Sequence, residues 1–269
     1  MPLVPLDDIL DPRLDPYREV RDKDLAGRER AFVIEGRVVL QTVLRRGRYP
    51  LRSVLVSRRK LDGLTSLLDE IPRSVPIYTL PHEHMVEVVG FPIHRGLLAI
   101  GERPEEPGAD MILSALSPGP ATVLVLEGLT NTDNVGACFR NAAAFGVQAV
   151  LLDATCCDPL YRRAMRVSAG CAAAVPFGRE PSQALLEALK RHGFFSIALA
   201  LTEGAAPLAA RARPAERVAL WLGSEGPGLR PETIAGADAR RVIPMASGID
   251  SLNVATAGAV ALFALQRPG

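Results

Sequence analysis

Four polar residues near the C-terminal end of the sequence stand in otherwise apolar surroundings: Ser224, Glu225, Ser251 and Asn253. The first pair follows the apolar run 218–222, and the second pair follows the run 242–245. Short apolar runs rich in β-formers predict buried strands. Open α/β sheets bind ligands at the loops that follow their strands, and buried polar groups need partners. These residues are therefore candidates for a binding or catalytic site.

The loop of the first pair, 223–228, holds three glycines and a proline, which predicts a tight turn. The second pair opens an apolar helix over 253–266, which Ser251 or Asp250 is predicted to cap. Upstream, residues 131–134 form a turn that caps a helix through Ala144. That helix follows a strand at 122–126 and carries the pattern N-x-G-x-x-x-R-x-A from Asn134 through Arg140.

The three segments, taken in order, resemble the three motifs of the SpoU/TrmH family of RNA 2′-O-ribose methyltransferases. The resemblance rests on N-V-G-A-C-F-R-N-A, then G-S-E-G-P-G-L, then I-P-M followed by S-L-N-V-A, and it covers about half of the chain. It implies an enzyme that uses S-adenosylmethionine. The cofactor would be held largely by backbone groups at Gly223, Ile243 and Leu252, with Met245 and Ala255 nearby. Glycine suits position 223, because a backbone without a Cβ allows close approach of a ligand.

The resemblance also makes Arg140 the catalytic arginine, with Asn134, Glu225, Ser251 and Asn253 positioning it and the ribose. A guanidinium keeps its proton up to about pH 12, so a role as general base conflicts with its chemistry. Binding of a substrate phosphate and stabilisation of the 2′-oxyanion fit it better.

Residues 118–269 alternate between strand and helix patterns, which predicts a largely parallel sheet with helices on both faces. Further strands are expected at 147–152 and 194–201, and further helices at 160–174 and 182–192. The family resemblance adds a deep trefoil knot of the SPOUT type, and it implies a homodimer that pairs through this domain.

The N-terminal part is predicted to hold an extended arm (1–16), a small α/β sandwich (17–103) and a polar linker (104–117). The sandwich alternates strands at 32–34, 52–56, 75–80 and 97–100 with helices at 37–46, 63–71 and 82–89. In the family, a domain in this place is similar to ribosomal protein L30e and binds RNA. The match is carried by Glu35-Gly36 and by His94-Arg95-Gly96.

Residues 37–60 carry eight cations and no anion. Such a patch fits a phosphate backbone. The candidate RNA-binding residues are Arg45, Arg46, Arg48, Arg58 and Arg59. The alternative is a solvated surface whose acidic residues lie elsewhere.

Other classes find little support. The chain has neither a G-x-G-x-x-G nor a G-K-[ST] motif, and no C-x-x-C pair, so a nicotinamide enzyme, an NTPase and a zinc clamp are disfavoured. His82-Glu83-His84 is typical of a solvated helix start, and no metal is expected. Four unpaired cysteines and the absence of a signal peptide or membrane span favour a cytoplasmic protein.

The function predicted from the sequence is S-adenosylmethionine-dependent methylation of a ribose 2′-hydroxyl in tRNA or rRNA. Two alternatives stay open. One is a catalytically idle RNA-binding or ribosome-assembly protein on the same fold, and the other is a small-molecule α/β enzyme.

Overall fold

The computed structural model describes residues 3–18, 30–90, 93, 95–209, 213–248 and 251–266. Its strands are β1 Leu3–Pro5, β2 Ala31–Glu35, β3 Leu51–Ser57, β4 Ile77–Leu80, β5 Leu97–Glu102, β6 Ala121–Glu127, β7 Ala149–Leu152, β8 Phe177–Arg179, β9 Phe195–Leu199, β10 Ala206–Pro207, β11 Arg217–Gly223 and β12 Ala239–Val242. Its α-helices are α1 Arg37–Arg46, α2 Thr65–Asp69, α3 His82–Val89, α4 Ala109–Ser114, α5 Thr132–Ala144, α6 Arg162–Val167, α7 Cys171–Ala174, α8 Ser182–Arg191, α9 Pro231–Gly236 and α10 Val254–Ala264.

The chain forms two compact units. The first comprises Met1–Glu105 together with Leu160–Ala174, and the second comprises Glu106–Pro159 and Val175–Gly269. The chain thus leaves the second unit after β7, contributes a short segment to the first unit, and returns at β8.

The first unit is built on a mixed sheet with the strand order β1-β4-β3-β5-β2. Its helices α1 and α3 both end at glycines in the left-handed conformation, Gly47 and Gly90, and both match the predicted bounds. On one side of the sheet, strand residues such as Val33, Leu55 and Ile100 pack with residues of α3 in a buried core.

The N-terminal arm is docked on this unit. Strand β1 pairs in parallel with β4, and residues Pro12–Tyr17 form a 3₁₀ helix instead of the extended chain predicted there. The Asp11 side chain caps that helix by accepting the Arg13 N–H. Leu14 and Tyr17 are fully buried, and the Tyr17 hydroxyl lies 2.6 Å from Ser53 Oγ. Apolar burial therefore holds the arm in place.

The segment Leu160–Ala174 was predicted as one helix, which is wrong: it forms α6 and α7, separated by Ala169 and Gly170 at φ 52° and 85°. The Ala169 carbonyl, which lies between α6 and α7, accepts a 3.0 Å hydrogen bond from Thr42 Oγ1 on α1. A Cβ on Gly170 would lie 2.8 Å from that of Thr42, so this close contact requires glycine.

The second unit carries a parallel sheet of seven strands in the order β10-β12-β9-β11-β6-β7-β8. Alternate strand residues, including Val125 and Trp221, pack with α4 and α8 in one core. Leu222, which alternates with Trp221, contacts α10 on the opposite face at Gly258. The predicted α/β class with helices on both faces is confirmed, and the trefoil knot stays a prediction.

Several predicted elements of this unit need correction. The predicted linker contains α4, and its Ile112 and Leu113 are buried in the core of the unit. The strand predicted at 242–245 lies earlier, at β12, where two arginines obscure the apolar pattern. Strands β8 and β10 and helix α9 were not predicted. Asn253 caps α10, not Ser251, and Asp250 lies outside the described residues.

Candidate active site

A cavity of about 570 Å³ lies at the carboxyl ends of β9, β11 and β12. Its walls come from residues 199–202, 222–229, 234, 242–243, 245, 251–254 and 257. Parallel α/β sheets bind ligands at this edge, and the volume lies within the range of small-molecule sites. Both loops singled out in the sequence contribute to the wall.

Four of the five predicted cofactor-binding residues line the cavity: Gly223, Ile243, Met245 and Leu252. Ala255 lies outside its lining. It is buried in α10, where its carbonyl accepts a 2.7 Å hydrogen bond from Asn141 Nδ2 on α5. Ala255 therefore joins the two helices that carry the polar motifs.

Gly223 ends β11 at the point where the loop folds back on the strand. A Cβ at this position would lie 2.2 Å from both the Gly228 carbonyl carbon and the Leu229 nitrogen. Ser224 and Gly228 form an antiparallel bridge across the turn, and Gly226 and Gly228 have φ of 89° and 74°. The shape of this cavity wall thus depends on glycine at several positions.

Residues from all three motifs meet beside the cavity. Asn253 caps α10 with its side-chain oxygen, which accepts from the backbone N–H groups of residues 255 and 256. Its amide nitrogen donates to Asn134 Oδ1 at 2.9 Å and to Glu225 Oε1 at 3.0 Å. We name Asn134, Glu225 and Asn253 the amide–carboxylate cluster. Ser251 lines the cavity next to it and is exposed.

Arg140 lies on α5, eight residues after the first residue of the helix, and does not line the cavity. Its side chain is exposed and makes no hydrogen bond or ion pair with the described part of the chain. The neighbouring Asn141 fixes this part of α5 to α10. Arg140 is thus a cation on a fixed helix, open to an incoming anionic ligand.

Thr202 is a site residue that the sequence reasoning missed. It lines the cavity, and its hydroxyl oxygen is buried without a hydrogen-bond partner among the described residues. A buried hydroxyl without a partner is costly, so it fits a polar ligand in the cavity. Its position just after the predicted strand 194–201 is the signal that could have found it.

No cysteine lines the cavity, and three of the four offer no nucleophilic thiolate at neutral pH. Burial raises the pKa of Cys138 and of Cys156 to about 12, and it raises the pKa of Cys157 to about 11. These thiols stay protonated, and a thiol is a weak nucleophile compared with its thiolate. Within the described residues there is no group of His, Cys, Asp and Glu that could hold a metal ion.

The predicted RNA-binding arginines belong to the first unit. Arg45, Arg46, Arg48 and Arg59 are exposed. Arg58 differs, because its guanidinium donates to the Leu6 carbonyl at 2.9 Å and to Asp7 Oδ1 at 2.6 Å. Arg58 therefore holds the arm and is less free than the other four to bind a phosphate.

A parallel sheet with a pocket at its carboxyl edge, flanked by an amide–carboxylate cluster, is typical of a ligand-binding α/β protein. Comparison with known proteins gives the family. Residues 121–263 match the model of the SpoU rRNA Methylase family. The chain belongs to this family, which confirms the predicted enzyme class, an RNA methyltransferase, and the predicted cofactor, S-adenosylmethionine.

Individual relatives agree with this assignment. An uncharacterized tRNA/rRNA methyltransferase of Mycobacterium tuberculosis is 39% identical, over 96% of this chain and 90% of the relative. The 23S rRNA (guanosine-2′-O-)-methyltransferase RlmB of Acinetobacter baylyi is 32% identical, over 73% of this chain and 80% of the length of that relative. An AdoMet-bound rRNA methyltransferase from Sinorhizobium meliloti has the same fold, with a TM-score of 0.82 over 98% of this chain and 97% of that chain at 20% identity.

Proposed function

We propose that this protein transfers the methyl group of S-adenosylmethionine to a ribose 2′-hydroxyl of tRNA or rRNA. The observation that carries the proposal is the amide–carboxylate cluster. Asn253 joins Asn134 to Glu225 at hydrogen-bond distance, directly beside a cavity large enough for the cofactor. Polar residues from three distant segments thus converge where a methyl donor would be bound.

The residues of the cavity fit the cofactor. Glycine at 223 lets the loop fold back against Gly228 and Leu229 and so shapes the wall. Thr202 offers a hydroxyl without a partner among the described residues, and Leu222, Ile243 and Met245 provide apolar wall. When bound, S-adenosylmethionine supplies an electrophilic methyl group on a sulfonium.

A ribose 2′-hydroxyl is a poor nucleophile at neutral pH, so the protein must position it and stabilise the charge that develops on its oxygen. Arg140 is suited to that task through its planar fork of N–H donors. Asn134, Glu225 and Ser251 are proposed to hold the ribose, with Asn253 keeping the first two in place.

The RNA class stays open between tRNA and rRNA. The relative named above as RlmB acts on 23S rRNA, and the mycobacterial relative is named for both classes. The exposed arginines of α1 and the following loop are proposed to bind the phosphate backbone, which provides affinity with little sequence information. The nucleotide whose ribose is methylated is therefore expected to be chosen by other contacts.

A homodimer formed through the second unit is also proposed. Helix α10 is apolar, yet Phe263 is 67% exposed and Val260 is 42% exposed. Contiguous apolar surface of this kind often marks an interface between proteins. Sedimentation should give the mass of a dimer at micromolar concentration, and a stable monomer would refute this part of the proposal. No described helix is long and apolar enough to span a membrane; the cytoplasmic location stays a prediction.

The competing hypothesis, an idle RNA-binding protein, is disfavoured because Arg140 is present and Glu225 is held in the cluster. The test incubates the protein with methyl-labelled S-adenosylmethionine and RNA from a strain that lacks the gene. The proposal expects label in this RNA and much less in RNA from the parent strain, which is already modified. RNA that binds without acquiring label would support the idle protein.

A further inference from the structure

Two buried carboxylates of the second unit lie outside the site described above. Glu127 ends β6 and Asp153 follows β7, and each residue is 1% exposed. A buried charge is costly unless it is paired and hydrogen-bonded. The groups that pair with Glu127 and Asp153 therefore indicate the role of these two carboxylates.

Arg230 is the partner that both carboxylates share. Its backbone N–H donates to Glu127 Oε2 at 2.8 Å, and its guanidinium Nη2 donates to Asp153 Oδ2 at 2.7 Å. Its other terminal nitrogen, Nη1, lies 3.8 Å from Glu127 Oε1. Ser182 and Thr233 complete the shell of Glu127 through their hydroxyls.

This network connects two loops of the site. Arg230 directly follows the glycine loop 223–229 that walls the cavity. Asp153 Oδ1 accepts the N–H of Gly128 at 2.9 Å, and Gly128 begins the loop that leads into α5. A Cβ on Gly128 would lie 3.4 Å from Ser224, so the two loops also touch. Asp153 and Arg230 thus bind one loop to the other.

Asp153 is charged at neutral pH. Burial alone would raise its pKa, but hydrogen bonds from the Gly128 N–H, from Thr155 and from Cys156, together with the charge of Arg230, hold the pKa below its ordinary value. The ion pair with Arg230 is therefore intact under the conditions of the reaction.

The Ser224–Gly228 bridge closes the turn of the glycine loop, but Gly226 and Gly228 carry no side chain that restricts their backbone, so the turn alone does not fix where the C-terminal end of the loop lies. We propose that Arg230, Asp153 and Glu127 are positioning residues that anchor the C-terminal end of this loop against the loop before α5. They thereby set the cofactor wall and keep Glu225 within reach of Asn253. The proposal rests on the use of S-adenosylmethionine, and not on which RNA group is methylated.

The test compares Arg230→Ala and Asp153→Asn with Arg217→Ala. Arg217 is a matched control: it lies at the opposite end of β11, where it stacks on Phe194 and donates to the Gly119 carbonyl. Asp153→Asn keeps an oxygen for the Gly128 N–H while it removes the charge that holds Arg230. Asp153→Asn therefore still tests the proposal if Arg230→Ala folds poorly.

Two readouts are needed, and neither requires RNA. Hydrogen exchange of the free protein should become faster at the amides of Gly226, Gly228 and Leu229 in both variants. Calorimetry should show affinity for S-adenosylmethionine reduced about tenfold, the lower end of the loss expected when residues that support a site are removed. Arg230→Lys should recover most of this affinity, since it restores a charge beside Asp153.

The proposal is overturned if both variants exchange and bind like Arg217→Ala, because the network would then contribute to fold stability alone. It is also overturned if exchange rises evenly over the whole unit, since that result indicates general destabilisation. A failure of RNA methylation with normal cofactor binding in the wild-type protein would instead count against the proposed function.

Discussion

The two units hold their functional side chains in opposite ways. In the second unit, Asn253 donates hydrogen bonds to both Asn134 and Glu225, and the cavity wall folds so tightly at Gly223 that no Cβ fits. In the first unit, Arg45, Arg46 and Arg48 are exposed on α1 and the loop after it. Function in the second unit therefore depends on the precise placement of its side chains, whereas RNA binding by the first unit is expected to depend on positive charge. A substitution that conserves charge should therefore impair the second unit and leave the first unit's RNA binding intact.

The largest effect is expected at Arg140. Arg140→Ala should lower single-turnover methyl transfer by about a hundredfold or more, the scale on which one donor to a developing oxyanion acts. Arg140→Lys should be nearly as slow, because a point charge lacks the planar fork. Calorimetric affinity for S-adenosylmethionine should stay unchanged, since Arg140 does not line the cavity.

Arg191→Ala, an exposed arginine at the end of α8, is the control for loss of a helical cation. If Arg140→Lys kept a near-normal rate, Arg140 would act only as a general cation. If either Arg140 variant also lost affinity for S-adenosylmethionine, the assignment of catalysis to α5 and of cofactor binding to the two loops would be wrong.

Gly223→Ala should have the next largest effect. The new Cβ meets backbone atoms of Gly228 and Leu229, which cannot rotate away, so the loop must shift. Cofactor affinity by calorimetry should fall by about tenfold or more, as for overpacking that costs 1–3 kcal/mol. Gly63→Ala is the matched control, because its Cβ would meet nothing within 4 Å. Equal affinities in the two variants would contradict this account of the loop.

The smallest effect is expected from reversing Arg45, Arg46 and Arg48 to glutamate. RNA affinity should fall about tenfold at low salt, for all RNAs alike, with a shallower dependence on salt. Affinity for S-adenosylmethionine should not change. Filter binding across a salt series measures this, with exposed Arg73, Lys190 and Arg240 reversed together as the charge-matched control. If the control triple weakens RNA binding equally, the patch is only a solvated surface.

The same contrast explains what could be predicted from the sequence. Helices α1 and α3 were predicted to the residue, because glycines mark their ends. Gly223, Glu225 and Asn253 were found because their motifs are local in sequence. The break at Ala169 and Gly170 was missed, because what holds it is the contact with Thr42, more than a hundred residues away.

Burial of polar groups was the harder part. Glu127 and Asp153 are ordinary residues at strand ends, and nothing near them in the sequence reveals that Arg230 lies between them. Thr202 was missed for the same reason, since only the folded cavity shows that its hydroxyl has no partner among the residues that the structure describes. Conversely, the sequence indicates that Arg58 is available to RNA, but in the structure the docked arm places Asp7 beside it.

The acceptor proposed for the methyl group is a ribose 2′-oxygen. The most direct measurement digests the methyl-labelled RNA with alkali, because cleavage needs the free 2′-hydroxyl as its internal nucleophile. We expect the label in an alkali-resistant dinucleotide and its loss with Arg140→Ala. Label recovered only in mononucleotides would place the methyl group on a base and contradict the account.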